Sequence, residues 1–292
     1  MTQQSSPNCP ACGEPLRRGL QTWHLQCSSC TYEGSSLLVD IDVRGDREVL
    51  DEVLREEGLG ALRQRNFRVL GDELSARFPA VTGRRSRLLD VGCAHGWFLE
   101  ATADHFEVLG IEPDARVAEA AGERGQPVRR GFFPDVLQAD ERFDVIIFND
   151  VMEHIPDIIA AMQACARHLA PGGVVMINAP ARTGVLYRIS RMMASLGLPA
   201  SFDRMWQKGF PSPHVHYLDD ASVNAIGARA GLTLDSVRTL PSLSVNGLYA
   251  RIRYDRSVST AKALAITCVL GLASPALRAL PADIKVWTLR AN

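Results

Sequence analysis

Two groups of residues in this chain have the types and spacing to do chemistry. The first is Cys9, Cys12, Cys27 and Cys30, arranged as two C-x-x-C pairs. Thiolates at that spacing close on one tetrahedral metal ion, and four of them leave no open coordination position. A zinc ion held this way stiffens a segment too short to bury its own core, or docks a partner. A disulfide pair and a redox C-x-x-C are the alternatives, but the redox motif wants a βαβ setting that residues 1–40 lack. The second group is Asp90-Val91-Gly92-Cys93-Ala94-His95-Gly96, followed downstream by Glu112-Pro113. Gly92, Ala94 and Gly96 let a backbone approach a ligand closely. Glu112 stands about twenty residues beyond the loop, where a strand-end acid accepts ribose hydroxyls. A dinucleotide fingerprint would want glycine at position 97; this chain has Trp97, and Gly96 arrives one step early.

Three histidines are candidates for a general base near neutral pH, His154, His214 and His216. His154 follows the apolar run 143–148, and its alternative is a helix-entry residue bonded to a neighbouring loop. His214 and His216 share one face if their segment is extended, with Val215 on the other. They either line a site or pack a lid. Glu153 can orient a histidine or join a divalent-metal site with its neighbours.

Alternating strands and helices must position these groups. Apolar runs predict strands at 87–91, 107–111, 128–131, 143–148 and 174–177, with helices between them, and so a parallel sheet covered on both faces. Asp114 caps the helix after the second strand. Helical periodicity returns at 157–169 and 219–230, the latter ending at Gly231. A strand at 233–239 follows, and a last strand at 284–289 returns antiparallel. Residues 46–78 read as two helices broken near Gly58 and Gly60 and ended by Pro79. Residues 180–217 read as a long irregular insertion. Between the cysteine pairs, 20–26 alternates like a short strand. Ala94, in place of a middle glycine, predicts an ordinary backbone there, and His95 reads as an exposed position.

Composition narrows the class. The chain has 292 residues, 46% hydrophobic and 22% charged, with a formal net charge of −1. That is globular, and it argues against a generic electrostatic grip on nucleic acid. No apolar h-region opens the sequence, and the reading is cytoplasmic. The most apolar late stretch, 263–277, is broken by Pro275 and short of the roughly 20 residues a span requires; the segment 261–280 around it packs on the protein or lies at a membrane surface.

Four motifs in order carry a family resemblance. The loop from Asp90 to Gly96 resembles motif I of class I S-adenosylmethionine (SAM) methyltransferases. Asn149-Asp150-Val151-Met152-Glu153-His154-Ile155-Pro156-Asp157 resembles motif IV with its downstream signature. Leu169-Ala170-Pro171-Gly172-Gly173 resembles the segment before strand five. Pro213-His214-Val215-His216-Tyr217, ahead of a helix ending Ala230-Gly231, resembles the region before strand six. The pattern is similar to the ubiquinone-biosynthesis O-methyltransferases.

The resemblance implies a doubly wound, Rossmann-like seven-stranded sheet, mostly parallel, over residues 86–292, with a lid at about 180–217. A helical cap at 41–85 and a zinc ribbon at 1–40 precede it. The resemblance implies SAM contacts at Asp90, Gly92, Cys93, Ala94, Gly96, Glu112 and Pro113. Phe132 would contact adenine, with Asn149 and Asp150 beneath the methyl. The activity implied is methyl transfer to a hydroxyl of a small-molecule, sugar or lipid-linked acceptor. Met192, Met193, Met205, Trp206 and Phe210 belong to an apolar pocket, a membrane-facing surface or ordinary lid packing. Two alternatives stand beside this: an RNA base methyltransferase whose ribbon grips RNA, and a silent SAM-binding scaffold. The neutral charge and the absence of an N/D-P-P-Y/F signature count against the first, and the intact loop and Glu112 against the second.

Overall fold

Buried apolar strands build the centre. Val145, Ile146, Ile147 and Phe148 are all fully buried, which fits a strand covered on both faces. The computed structural model describes residues 7–40, 52–79, 84–241, 248–253, 258–277 and 280–291. In chain order these form β1 (Leu16–Arg18), β2 (His24–Cys27), β3 (Glu33–Ser35), α1 (Glu52–Arg77), β4 (Ser86–Val91), α2 (Trp97–Thr102), β5 (Phe106–Glu112), α3 (Ala115–Glu123), β6 (Val128–Arg130) and β7 (Phe143–Asn149). A 3-10 turn (Met152–His154) leads to α4 (Ile158–His168), β8 (Leu169–Pro180), α5 (Val185–Ser195), α6 (Ala200–Met205), β9 (His216–Tyr217), α7 (Asp220–Arg229), β10 (Leu232–Leu240), α8 (Leu248–Arg253), α9 (Thr260–Leu277) and β11 (Ile284–Ala291).

The large sheet has seven strands in the order β10-β11-β8-β7-β4-β5-β6. Strands β4 to β8 pair in parallel, and β11 runs antiparallel to both neighbours. The chain steps outward from β4 to β6, then returns to lay β7 on the other side of β4. That reversal opens a crevice at the carboxyl ends of β4 and β7, where such sheets take ligands. On one face Phe67, Leu70 and Leu74 of α1 pack with Phe98; on the other, α4 and α7 cover Ile146, Phe148 and Ile177.

Several local expectations are corrected. From residue 52, the region expected as two helices is one, α1. Gly60 does not break it; it lies inside the helix, where even an added Cβ would make only ordinary contact with the Trp97 ring at 3.6 Å. Residues 46–51 lie outside the described residues. The segment 180–217 is not irregular: it forms α5, α6 and β9, folded on the aromatic cluster of Tyr187, Phe202, Trp206 and Tyr217 with Trp23. Helix α9 runs through Pro275 to Leu277. The strand expected at 20–26 begins only at His24, because the Leu20 and Gly19 amides bond back to His24.

The N-terminal segment is not self-contained. β1, β2, β3 and β9 form one four-stranded sheet, so the N-terminal strands are completed by a strand from within 180–217. Glu33 fixes this junction. One carboxylate oxygen accepts from Arg182 Nε at 2.9 Å; the other meets His24 Nε2 at 3.2 Å and accepts a short hydrogen bond from the Tyr187 hydroxyl. Arg191 lies 3.4 Å from the first. Burial raises the carboxyl, but the bonds from His24 and Tyr187 and the charges of Arg191 and Arg182 overcome it and hold Glu33 at about 2.

A carboxylate depressed in this way contributes stability that is fully present above the ordinary 4.5 and is lost as pH falls from about 4.5 towards 2. The wild-type unfolding free energy is expected to drop across that window with a slope that Glu33→Gln lacks. At pH 7 the variant should unfold more easily by about 3 kcal/mol, because two arginines lose their buried partner. Urea titrations at stepped pH check both statements.

Candidate active site at the sheet's carboxyl edge

The loop after β4 is shaped by left-handed backbone. Gly92, Ala94 and Gly96 have φ of 69°, 45° and 76°. For Gly92 and Gly96 this is unstrained, and a Cβ on Gly92 would lie 2.6 Å from Val151. Ala94 overturns the expectation of an ordinary backbone. Its left-handed conformation costs on the order of 1 kcal/mol and is held by its N–H, which donates to Glu112 Oε2 at 3.0 Å. Glu112 Oε1 accepts from Asp114 N at 2.9 Å across Pro113, so one carboxylate ties the loops after β4 and β5 together. His95 is half-buried rather than exposed; its carbonyl takes a short bond from Arg124, and its ring lies beside Trp97. The Cys93 thiol lies under Gly110, whose added Cβ would meet Sγ at 2.5 Å, so Cys93 faces the sheet and offers the crevice only its backbone.

Asp90 is buried at the end of β4 and accepts from Asn149 Nδ2 at 3.3 Å. Burial, with the charge of Glu112 adding to it, pushes its carboxyl up to about 8. Glu112 is raised as well, chiefly by burial. Two buried acids with raised affinity for protons suit a ligand that brings a cation and hydroxyl donors. The ammonium and ribose of SAM fit that donor set, and the left-handed loop leaves its backbone bare beside them. Phe132 is 51% exposed beyond β6 while Phe133 packs edge-on against Phe148. Asn149 ends β7 and bonds to both Asp90 and Asn178. Asp150 follows with φ 55°, and its carboxylate is clasped by Arg63 of α1 at 3.1 Å. Sequence reasoning missed Arg63; nothing in its helix separates it from a solvated arginine.

The turn after β7 brings Glu153, His154 and His214 together, with ligand atoms all within 4.8 Å of one another. His154 Nδ1 lies 3.0 Å from the Pro213 carbonyl. A carbonyl only accepts, so Nδ1 carries the proton and the basic lone pair sits on Nε2. Glu153 is buried with neither carboxylate oxygen hydrogen-bonded. Burial, reinforced by the charge of Asp150, raises its carboxyl well above the usual range. His214 is buried; its Nε2 meets the Gln207 amide at 2.9 Å, its Nδ1 has no partner, and burial drives it well below the ordinary histidine range. These three side chains can share a proton or hold a cation.

His216 stands apart. Both ring nitrogens are engaged in the seam between β3 and the turn, and burial pushes it down to about 4. Its burial and its two partners remove it from the expected set of bases.

In the N-terminal sheet Cys9 Sγ lies 3.6 Å from Cys30 Sγ, and Cys12 Sγ lies 3.3 Å from Cys27 Sγ. A disulfide needs about 2.05 Å. A tetrahedral ion with bonds of about 2.3 Å places thiolates about 3.8 Å apart. The four sulfurs lie within 4.8 Å of one another, so the site fits such an ion.

Comparison with known proteins agrees with this geometry. A family profile described as a methyltransferase domain matches residues 62–237. A ubiquinone biosynthesis O-methyltransferase of Paramagnetospirillum magneticum is 33% identical over 172 residues, 54% of this chain and 69% of the relative. A protein of the same name from Alkalilimnicola ehrlichii is 28% identical, over 59% of this chain and 70% of its own length. Two further relatives are matched over only 39% and 38% of their lengths. Among solved structures, magnesium protoporphyrin IX methyltransferase from Synechocystis superposes with a TM-score of 0.52 at 12% identity, covering 85% of this chain and 90% of that one. A cyclopropane synthase from Mycobacterium tuberculosis gives 0.52 at 19%, over 76% and 82%. These likenesses support the seven-stranded fold.

Two outcomes are expected. Glu112→Ala removes the anchor of Ala94 N and should weaken SAM binding about tenfold to a hundredfold in calorimetry, the loss of one or two charge-assisted hydrogen bonds. Elemental analysis of the purified protein should find one zinc per chain, lost on replacing Cys12 and Cys27 by serine.

Proposed function

Because this chain belongs to the methyltransferase-domain family and is a SAM-dependent methyltransferase, we propose that it methylates a hydroxyl of an apolar or lipid-linked small molecule. The observation that carries the reading is His154. It stands on the turn that leaves β7, beside the crevice, with its tautomer set by Pro213 so that Nε2 is the basic atom. When bound, SAM supplies a methyl group already activated by its sulfonium. The protein then has to orient the acceptor, exclude water and take one proton. His154 Nε2 takes the hydroxyl proton, and the buried Glu153 carboxyl lies beside it, within reach of the ring. Asp90 and Glu112 hold the cofactor from the far side of β4, and Phe132 lies where an adenine would rest. Arg63, clasping Asp150, draws α1 across the crevice.

The lid supports an apolar acceptor. Ile189, Met192, Leu196 and Leu198 on and after α5 are exposed, as is Leu280. Two adjoining clefts of about 360 and 390 Å³ are lined by Ile189, Met192 and Leu280 together with Arg188 and Arg191. Apolar residues ringed by arginine suit an anionic amphiphile or the surface of an anionic membrane. No described helix is long and apolar enough to cross a membrane. The names of the relatives, O-methyltransferases of ubiquinone biosynthesis, agree with a hydroxyl acceptor. Zinc in the four-cysteine site completes the proposed protein as a structural ion.

Incubation with methyl-labelled SAM against separated lipid, small-metabolite and RNA fractions tests the reading. Label is expected in the lipid or metabolite fraction and at an alkali-stable oxygen; label in RNA alone overturns the proposal. On the acceptor so found, His154→Ala should lower kcat by about 10²- to 10⁴-fold with SAM affinity unchanged.

A further inference from the structure

The cysteine site and the catalytic turn lie on different sheets, yet one short path of hydrogen bonds joins them. Tyr32 follows Cys30 by two residues, and its carbonyl accepts from Cys27 N at 3.1 Å, so its backbone belongs to the second cysteine knuckle. Its side chain crosses β3 towards β9. Gly34 permits this, since a Cβ there would lie 2.7 Å from the Tyr32 hydroxyl. The hydroxyl meets His216 Nδ1 at 2.5 Å, and His216 Nε2 lies 2.8 Å from the Ile155 carbonyl. Because that carbonyl can only accept, Nε2 carries the proton, Nδ1 is the acceptor, and the tyrosine donates. Tyr32 and His216 are both buried, so neither bond is replaceable by water.

The turn is gripped by the same segment at two more points. Val215 N donates to the Glu153 carbonyl at 2.7 Å, and His154 Nδ1 donates to the Pro213 carbonyl at 3.0 Å. That segment is in turn fixed to β3, where Ser35 N donates to Val215 O at 3.0 Å and Ser35 Oγ to His214 O at 2.9 Å. The carbonyls of residues 153 and 155 and the ring of His154 are therefore all held by residues 213–216, and those by Tyr32 and Ser35.

We propose that Tyr32 and His216 are positioning residues that transmit the order of the four-cysteine site to the turn bearing Glu153 and His154. The metal then governs the precision of the base without touching substrate. The importance of the turn rests on the reading of His154 given above; the mechanical coupling does not, and its test requires no acceptor.

Hydrogen exchange followed by mass spectrometry, on the full chain with zinc bound, tests the coupling. Tyr32→Phe keeps the ring and deletes one hydroxyl. Its zinc content is expected to match wild type, exchange over residues 152–158 should rise about tenfold, and exchange over the loop 90–96 should not change. The ring ¹⁵N resonances of His154 should move as well, a signature that simple loss of packing at residue 32 would not give. Stripping zinc from the wild type with a chelator under reducing conditions should raise exchange over 152–158 in the same way, and this arm stands even where the variant folds poorly. Unchanged exchange over 152–158 after zinc removal, or an unmoved His154 in zinc-loaded Tyr32→Phe, overturns the proposal. A failed acceptor assay with these shifts present would refute the base and leave the coupling intact.

Discussion

The structure depends on a buried carboxylate at a seam between two sheets. Glu33 sits on β3 where that strand pairs with β9, and its two oxygens are satisfied by groups 9, 149 and 154 residues away in the chain. A carboxylate removed from water costs several kcal/mol unless paired and hydrogen-bonded on all sides. The N-terminal segment is therefore docked at Glu33, with Arg182, Arg191 and Tyr187 around it. Asp219 extends the network: it takes Arg182 Nη1 at 3.3 Å, the Thr31 hydroxyl at 3.0 Å, and the amide of Ser222 as the cap of α7. Residues 180–217 are built on the N-terminal sheet as much as on the large sheet.

The crevice has the opposite character. Asp90, Glu112, Asp150 and Glu153 converge where β4, β5 and β7 end, and among the described residues only Asp150 has a cation paired with it there, Arg63. Burial raises Asp90, Glu112 and Glu153. Groups of one sign gathered out of water favour whatever brings the missing charge or proton, and this is how a site stores affinity for a cationic, hydroxyl-rich cofactor before it arrives.

The strands of the sheet and the cofactor loop were legible because they are local. Phe143 to Phe148 is a continuous apolar run, Asp114 caps its own helix, and the loop from Asp90 to Gly96 carries its small residues in sequence. The four cysteines were legible for the same reason. What was not legible is non-local. Glu33, Arg63 and Gln207 look like ordinary surface residues, and only tertiary contact makes them partners of Arg182, Asp150 and His214. Residues 180–217 looked irregular because their aromatic residues are spaced for a cluster with Trp23, whose contribution no helical or strand period reveals. Gly60 read as a breaker because glycine is usually one; here it is held inside α1 by the helix around it.

Three non-glycine residues among those described adopt left-handed backbone: Ala94, Asp150 and Gln207. Each costs on the order of 1 kcal/mol or more, and such residues survive only where surrounding contacts over-determine them. All three lie at this site. Ala94 is pinned by Glu112, Asp150 by Arg63 and the Asn178 carbonyl, and Gln207 meets His214. Strain placed at the cofactor loop, at the end of β7 and behind the buried histidine is strain placed on three sides of one crevice. The coincidence of the outliers with the converging acids and His154 argues for a site still shaped to hold reactants, and it does so from backbone geometry alone.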